Sequence, residues 1–244
     1  MTEPKTIYEL ISLAKEEWLK GNDKNVIIYL NKAIKLDPNN PAIYIHRAHA
    51  KSCLEDYQGE IDDYTKAIEI DPLPLYYKNR AGAKKELEDY QGAIDDYNKI
   101  IEIYPDKFNA VYYFNRALAK HKLEDYQGVI DDYTKAIEIY PNNDVYYFNR
   151  AIAKYQLEDY QGAIDDYNKA IEINPDDLYY YERANSKNEL RDYQGAIDDY
   201  SKSIEMKPYD FVVYENRASA KRKLGDNEGA DEDDKKAEKL KNIS

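Results

Sequence analysis

One tetrapeptide sets the architecture of this chain. Asp-Tyr-Gln-Gly recurs with its aspartate at Asp56, Asp89, Asp125, Asp159 and Asp192, at steps of 33, 36, 34 and 33 residues. Asn22 lies 34 residues before the first copy, and Asp226 lies 34 after the last. Prolines keep the same beat at Pro38, Pro72, Pro105, Pro141, Pro175 and Pro208. A period of this length marks one supersecondary element that cannot bury its own apolar face and must stack on neighbours. Seven repeats follow, over residues 7–40, 41–73, 74–109, 110–143, 144–176, 177–210 and 211–241, with short tails at 1–6 and 242–244. Changes of one or two residues in spacing fall just after the prolines, where a loop absorbs them.

Each repeat carries two helical patterns. In the fifth, Ala163, Ile164, Tyr167, Ala170 and Ile171 form one apolar stripe at a 3.6-residue period. Asp159 stands where a side chain can cap the first turn, and Pro175 stops the helix because the residue before proline avoids helical geometry. The preceding helix has a narrower stripe, Tyr147, Ala151 and Leu157. Its small residue recurs as Ala14, Ala48, Ala81, Ala117, Ala151, Ala184 and Ala218, so two helices can approach closely there. Gly59, Gly92, Gly128, Gly162, Gly195 and Gly229 form a second column, in the first turn of the second helix. Glycine costs about 1 kcal/mol against alanine in a helix, and close helix contact is the expected reason for keeping it. The last repeat places Asp231, Asp234 and Glu238 among its stripe positions beside Ala230 and Ala237, as a capping helix would. The first uses Leu10, Leu13 and Trp18. Both ends read as finished, and the array is expected to be complete.

The small residue of the first helix, the Asp-Tyr turn, the Ala…Tyr…Ala pattern of the second helix and the closing proline together resemble the tetratricopeptide repeat (TPR) family. The resemblance runs from about Thr6 to Leu240. It implies an all-α fold, a right-handed α-solenoid of seven helix–turn–helix repeats. First helices would line a concave groove and second helices the convex back, and the function would be binding of peptides or proteins. Sel1-like repeats, a related family, fit the spacing less well. Members that grip acidic chaperone tails use a Lys/Asn pair, an Asn and a Lys/Arg pair on successive first helices. Asn79, Asn115, Asn149 and Asn216 match the Asn place, but Gly82, Val145 and Asn149 stand where partners of Asn115 are needed. The resemblance therefore does not extend to that clamp.

The first helices of repeats four and five carry an additional apolar stripe: Val111, Phe114 and Leu118, then Val145, Phe148, Ile152 and Tyr155. Spacings of three and four keep each set on one helical face. On the family's geometry both sets point into the groove, bordered by Asn115 and Asn149, with Tyr181, Lys78 and Asn79 extending the site. Apolar side chains of a partner would fill this floor, and the amides, being both donors and acceptors, would pair with its backbone. The competing assignment is packing of these residues against neighbouring first helices.

Arg47, Arg80, Arg116, Arg150, Arg183 and Arg217 recur in every later repeat, each followed four residues on by a lysine, Lys51 to Lys221. Adjacent aspartates recur on the second helices, at Asp62–Asp63, Asp95–Asp96, Asp131–Asp132, Asp165–Asp166 and Asp198–Asp199. Such regularity suits structural Arg–Asp pairs better than a phosphate-binding strip. Glu60 breaks a column otherwise made of Val and Ala, and Lys51 or Arg47 is its expected partner.

Other chemistry is poorly supplied. A net charge of -13 disfavours nucleic acid and anionic membrane surfaces as partners. The segment Met1–Leu10 lacks the pattern of a secretory signal, and no apolar run reaches the ~20 residues of a membrane span. Cys53 is the lone cysteine, in keeping with a reducing, cytoplasmic setting. His46, His49 and Cys53 share a helix face, but spread along it they close poorly around zinc and lack a fourth ligand. No phosphate loop or nucleophile–base pair stands out, and no cofactor is expected. The sequence thus reads as a non-enzymatic scaffold for a protein or peptide partner, with homo-oligomerisation through the same surface or the stack ends as the alternative.

Overall fold

The computed structural model of the protein describes residues 6–104 and 110–242. Among these, the chain forms fourteen α-helices and no strand. It divides into two compact units, residues 1–123 and 124–244. The N-terminal unit holds α1 (Ile7–Leu19), α2 (Asp23–Leu36), α3 (Pro41–Cys53), α4 (Tyr57–Ile70), α5 (Pro74–Glu86), α6 (Tyr90–Ile103) and α7 (Ala110–Lys122). The C-terminal unit holds α8 (Tyr126–Ile139), α9 (Asp144–Gln156), α10 (Tyr160–Ile173), α11 (Asp177–Glu189), α12 (Tyr193–Met206), α13 (Phe211–Leu224) and α14 (Asn227–Lys241). Within each unit consecutive helices pack on one another, as in a helical solenoid of about seven repeats. Pro38, Pro72, Pro141, Pro175 and Pro208 each stand two residues beyond a helix end; Pro105 lies outside the described residues.

The repeated aspartate does cap its helix. Asp159 Oδ1 accepts the Gly162 N–H at 3.0 Å, and Asp56, Asp89, Asp125, Asp192 and Asp226 do the same for their own glycines. This explains the glycine column differently from the expected helix contact: a Cβ at Gly59, Gly92 or Gly162 would overlap the capping carboxylate itself. The cap and the glycine are thus one device. The turn before it is left-handed. Glu55, Glu88, Glu124, Glu158 and Arg191 have φ of 58° to 62°, at the place held by Gly21 and Gly225 in the outermost repeats.

The core alternates small and large residues. Ala48, Ala81, Ala117, Ala151, Ala184 and Ala218 are completely buried, and the second helices drive Tyr64, Tyr97, Tyr133, Tyr167 and Tyr200 into the space they leave. This column accounts for five of the 27 tyrosines. Two expectations fail. Leu157 sits at the C-cap of α9 and is exposed rather than packed, and Trp18 is 57% exposed while Leu10 alone is fully buried in the first stripe. Trp18 lies in the last turn of α1 and Leu157 just past the last turn of α9.

Arg–Asp pairs bind the helices of each pair together. Arg150 Nε and a terminal guanidinium nitrogen donate to the two oxygens of Asp166 at 2.8 and 2.7 Å, and Lys154 Nζ joins them at 2.8 Å. Another Arg150 nitrogen reaches back to Thr134 of α8 at 3.0 Å, and the guanidinium lies 5.7 Å above the Tyr147 ring. The same arrangement joins Arg47 to Asp63, Arg80 to Asp96, Arg183 to Asp199 and Arg217 to Asp233. Of each adjacent aspartate pair only the second is buried; the first stays at the surface, where Asp62, Asp95, Asp165 and Asp198 accept from Gln58, Gln91, Gln161 and Gln194.

Candidate functional site

The first helices present the side chains singled out for binding, and each unit is built on its own. On α7, in the N-terminal unit, Val111 and Leu118 are 48% and 37% exposed, and Phe114 is half-buried between them in sequence. On α9, in the C-terminal unit, Val145 is 40% exposed, and Phe148 and Ile152 are half-buried. Phe148 packs on Tyr167 and Tyr179, ring centroids 5.9 and 4.7 Å away, so part of this side chain belongs to its own unit's core. The asparagines bend back along their helices: Asn115 Nδ2 donates to the Val111 carbonyl and Asn149 Nδ2 to the Val145 carbonyl, both at 2.7 Å.

A groove of about 560 Å³ opens in the N-terminal unit, lined among others by His49, Glu60, Lys78, Asn79, Glu86 and Asn115. Asn79 Nδ2 donates to the Tyr64 hydroxyl at 3.1 Å, while the His49 ring stands edge-on to Tyr64 at 6.2 Å. Glu60 is 7% exposed. Its expected partners are taken, since Arg47 and Lys51 both engage Asp63. Burial therefore pushes the Glu60 carboxyl up, against a hydrogen bond from the Ser52 hydroxyl that pulls it down.

A smaller cavity of about 210 Å³ lies in the C-terminal unit between α9, α11, α12 and α13. Tyr155, Asn185, Asn188, Glu189, Tyr200 and Asn216 line it. A polar chain runs behind this wall. The Tyr200 hydroxyl donates to Asn185 Oδ1 at 2.7 Å, and Asn185 Nδ2 donates to a Glu182 carboxylate oxygen at 3.2 Å. Asn216 Nδ2 donates to the Tyr181 hydroxyl at 3.0 Å, and the Tyr181 ring leans on Tyr200 at 6.0 Å. Burial pushes the Glu182 carboxyl above its ordinary range, only partly offset by Asn185. Asn188 Oδ1 is buried and accepts no hydrogen bond among the described residues. Of the residues singled out in the sequence for binding, Tyr155 belongs to this wall and Tyr181 lies behind it, bonded to Asn216. Glu182, Asn185, Asn188 and Glu189 were missed. One signal was present: Glu182 fills a column that reads His46, Asn79, Asn115, Asn149 and Asn216 elsewhere.

Among the described residues no group of three His, Cys, Asp or Glu side chains is placed to hold a metal ion, and no helix is long and apolar enough to cross a membrane.

Family models described as tetratricopeptide repeat match residues 10–40, 79–107, 110–143, 145–177 and 179–210. Solved structures share the fold. The C-terminal part of a TPR repeat-containing protein from Cytophaga hutchinsonii is 19% identical with a TM-score of 0.77, covering 98% of this chain and 96% of that one. A tetratricopeptide repeat protein from Parabacteroides merdae is 22% identical with a TM-score of 0.63, covering 96% and 93%. YrrB, described as a TPR protein with an unusual peptide-binding site, is 19% identical with a TM-score of 0.64, covering 75% and 94%. No curated protein matches the sequence.

Proposed function

The chain belongs to the tetratricopeptide repeat family, and we propose that it is a non-enzymatic, cytoplasmic scaffold whose first helices hold an extended polypeptide. The observation that carries this reading is the set of valines and leucines left uncovered on first helices, Val111 and Leu118 on α7 and Val145 on α9, each beside a half-buried phenylalanine. Buried alanines on the same helices do the packing, so the exposed residues are surplus to the core. Covering such side chains contributes about 1.5–3 kcal/mol for each one fully buried. Asn79, Asn115, Asn149, Ile152, Tyr155 and Tyr181 complete the proposed contact set. The net charge of -13 favours a polypeptide partner over nucleic acid or an anionic membrane surface. YrrB's peptide-binding site supports the same class of function for a chain of this fold.

The test uses random twelve-residue peptides displayed on phage and selected on the full chain. Val111→Asp and Val145→Asp, at exposed positions, should each leave helicity unchanged and weaken selected peptides at least tenfold. Unchanged affinity in both variants rejects the location.

A second reading, self-association through the first repeat, is favoured by Tyr8, Trp18, Leu19 and Ile28, all exposed on α1 and α2. Light scattering across a dilution series, with Trp18→Ser as the comparison, decides it: a mass that stays monomeric at every concentration rejects this reading.

A further inference from the structure

We propose that the cavity between α9, α11, α12 and α13 receives a basic side chain, arginine or lysine, of the bound polypeptide; this rests on the scaffold reading above and names what one of its sites selects.

The cavity has an excess of acceptors. Glu189 lines it directly, and Glu182 lies one hydrogen bond behind it through Asn185. Asn188, also on the wall, has a buried Oδ1 that accepts no hydrogen bond among the described residues. Burying an acceptor without a donor costs about 1–3 kcal/mol, so such an oxygen marks a place where a donor belongs. Asn185 Nδ2 and Asn216 Nδ2 each commit one N–H to a neighbour, Glu182 and the Tyr181 hydroxyl. Among the described residues no lysine, arginine or histidine lines the cavity. The bases of α11 and α13 are engaged elsewhere: Arg183 and Lys187 hold Asp199, Arg217 and Lys221 hold Asp233, Arg222 pairs with Asp231 and Asp234, and Lys223 lies over the Tyr193 ring.

Tyr155 lines the cavity beside Glu189. A cation above a tyrosine face is attracted by the ring quadrupole, more strongly once water is excluded. A guanidinium brings five donors and no acceptor, an ammonium three donors and no acceptor. Either complements the Glu189 carboxylate and the Tyr155 ring; an acidic side chain would be repelled by Glu189. A volume of about 210 Å³ suits one side chain rather than a larger ligand. The overall charge of -13 draws such a segment in the same direction.

The experiment sequences the twelve-residue peptides selected on the full chain and then remakes the best binder. The expected result is an arginine or lysine at one fixed place. Replacing it with citrulline or norleucine should cost at least tenfold in affinity. That loss should vanish in the Glu182→Gln/Glu189→Gln double variant, which removes both carboxylates and keeps their shapes. Ser219→Arg, at an exposed position lining the same cavity, should place a guanidinium from the chain itself in the site and block the peptide. Binders without a fixed base, or a citrulline loss equally large in the double variant, overturn this inference and leave the scaffold reading standing. A library that returns no binder overturns both.

Discussion

Arg183 of α11 and Asp199 of α12 meet through two parallel hydrogen bonds, at 2.8 and 2.6 Å, with the carboxylate almost wholly buried. Lys187 Nζ lies 2.8 Å from the same carboxylate and donates to the Gly195 carbonyl in the first turn of α12. One aspartate thus pairs with two cations. It also fixes the angle at which the two helices meet.

Removing that carboxylate strands both bases. Asp199→Ala should cost about 3 kcal/mol, the low end for breaking a buried pair, because the arginine and lysine keep some access to water. Its neighbour Asp198→Ala should fall within about 0.5 kcal/mol of the parent, as surface substitutions do. Urea denaturation followed by circular dichroism checks both; similar losses at the two positions would refute the assignment.

Gly92→Ala separates propensity from structure. Helix propensity alone expects a gain of about 1 kcal/mol. The added Cβ would also displace the Asp89 carboxylate from its cap, a loss of about 1 kcal/mol that cancels the gain. In the Asp89→Ala background the cap is already gone, and Gly92→Ala should become stabilising. A thermal-denaturation cycle over the four chains reads the difference between no net effect and a gain.

Glu182 carries a pH signature. Its carboxyl holds a proton more tightly when folded than when unfolded, because burial disfavours the charge. The associated stability is fully present below the ordinary glutamate value and is lost as pH rises through the folded value. Glu182→Gln should therefore raise the urea midpoint at pH 7.5 and leave it nearly unchanged at pH 4. An equal effect at both values would place the carboxylate in water.

Buried phenols set the alkaline limit. Burial pushes Tyr64 and Tyr97 up to about 12, and Tyr133, Tyr167 and Tyr200 are also raised by burial. Stability from these groups is intact below the ordinary tyrosine value of about 10 and is lost as pH rises beyond it. Absorbance at 295 nm should show exposed tyrosines titrating first and the buried column ionising together with loss of helicity. Smooth titration of every tyrosine in a folded chain would contradict this burial.

The helix pairs were legible because their signals are local. A capping aspartate, an alanine column and a stop proline each act within a few residues, and the repeat period multiplies the signal. The arginine ladder was legible too, since recurrence in both helices of a pair implies contact. Which aspartate of each pair is buried depends on rotation about the second helix, so Asp199 and Asp198 could be told apart only by where α11 lies. The role of Gly92 was misread for a similar reason: its neighbour in space is a side chain three residues away, held there by the bend before the helix.

Sequence alone determined the helix pairs, their caps and the residues that pack them, because these follow from periodicity and short-range sterics. Tertiary structure decided that Phe148 leans on Tyr167 and Tyr179, that Glu60 loses its bases to Asp63, and that Asn185, Asn188 and Glu189 meet Tyr155 and Tyr200 around one cavity with Glu182 behind Asn185. Those residues come from different helices, and no spacing along a chain encodes the distance across a packed interface.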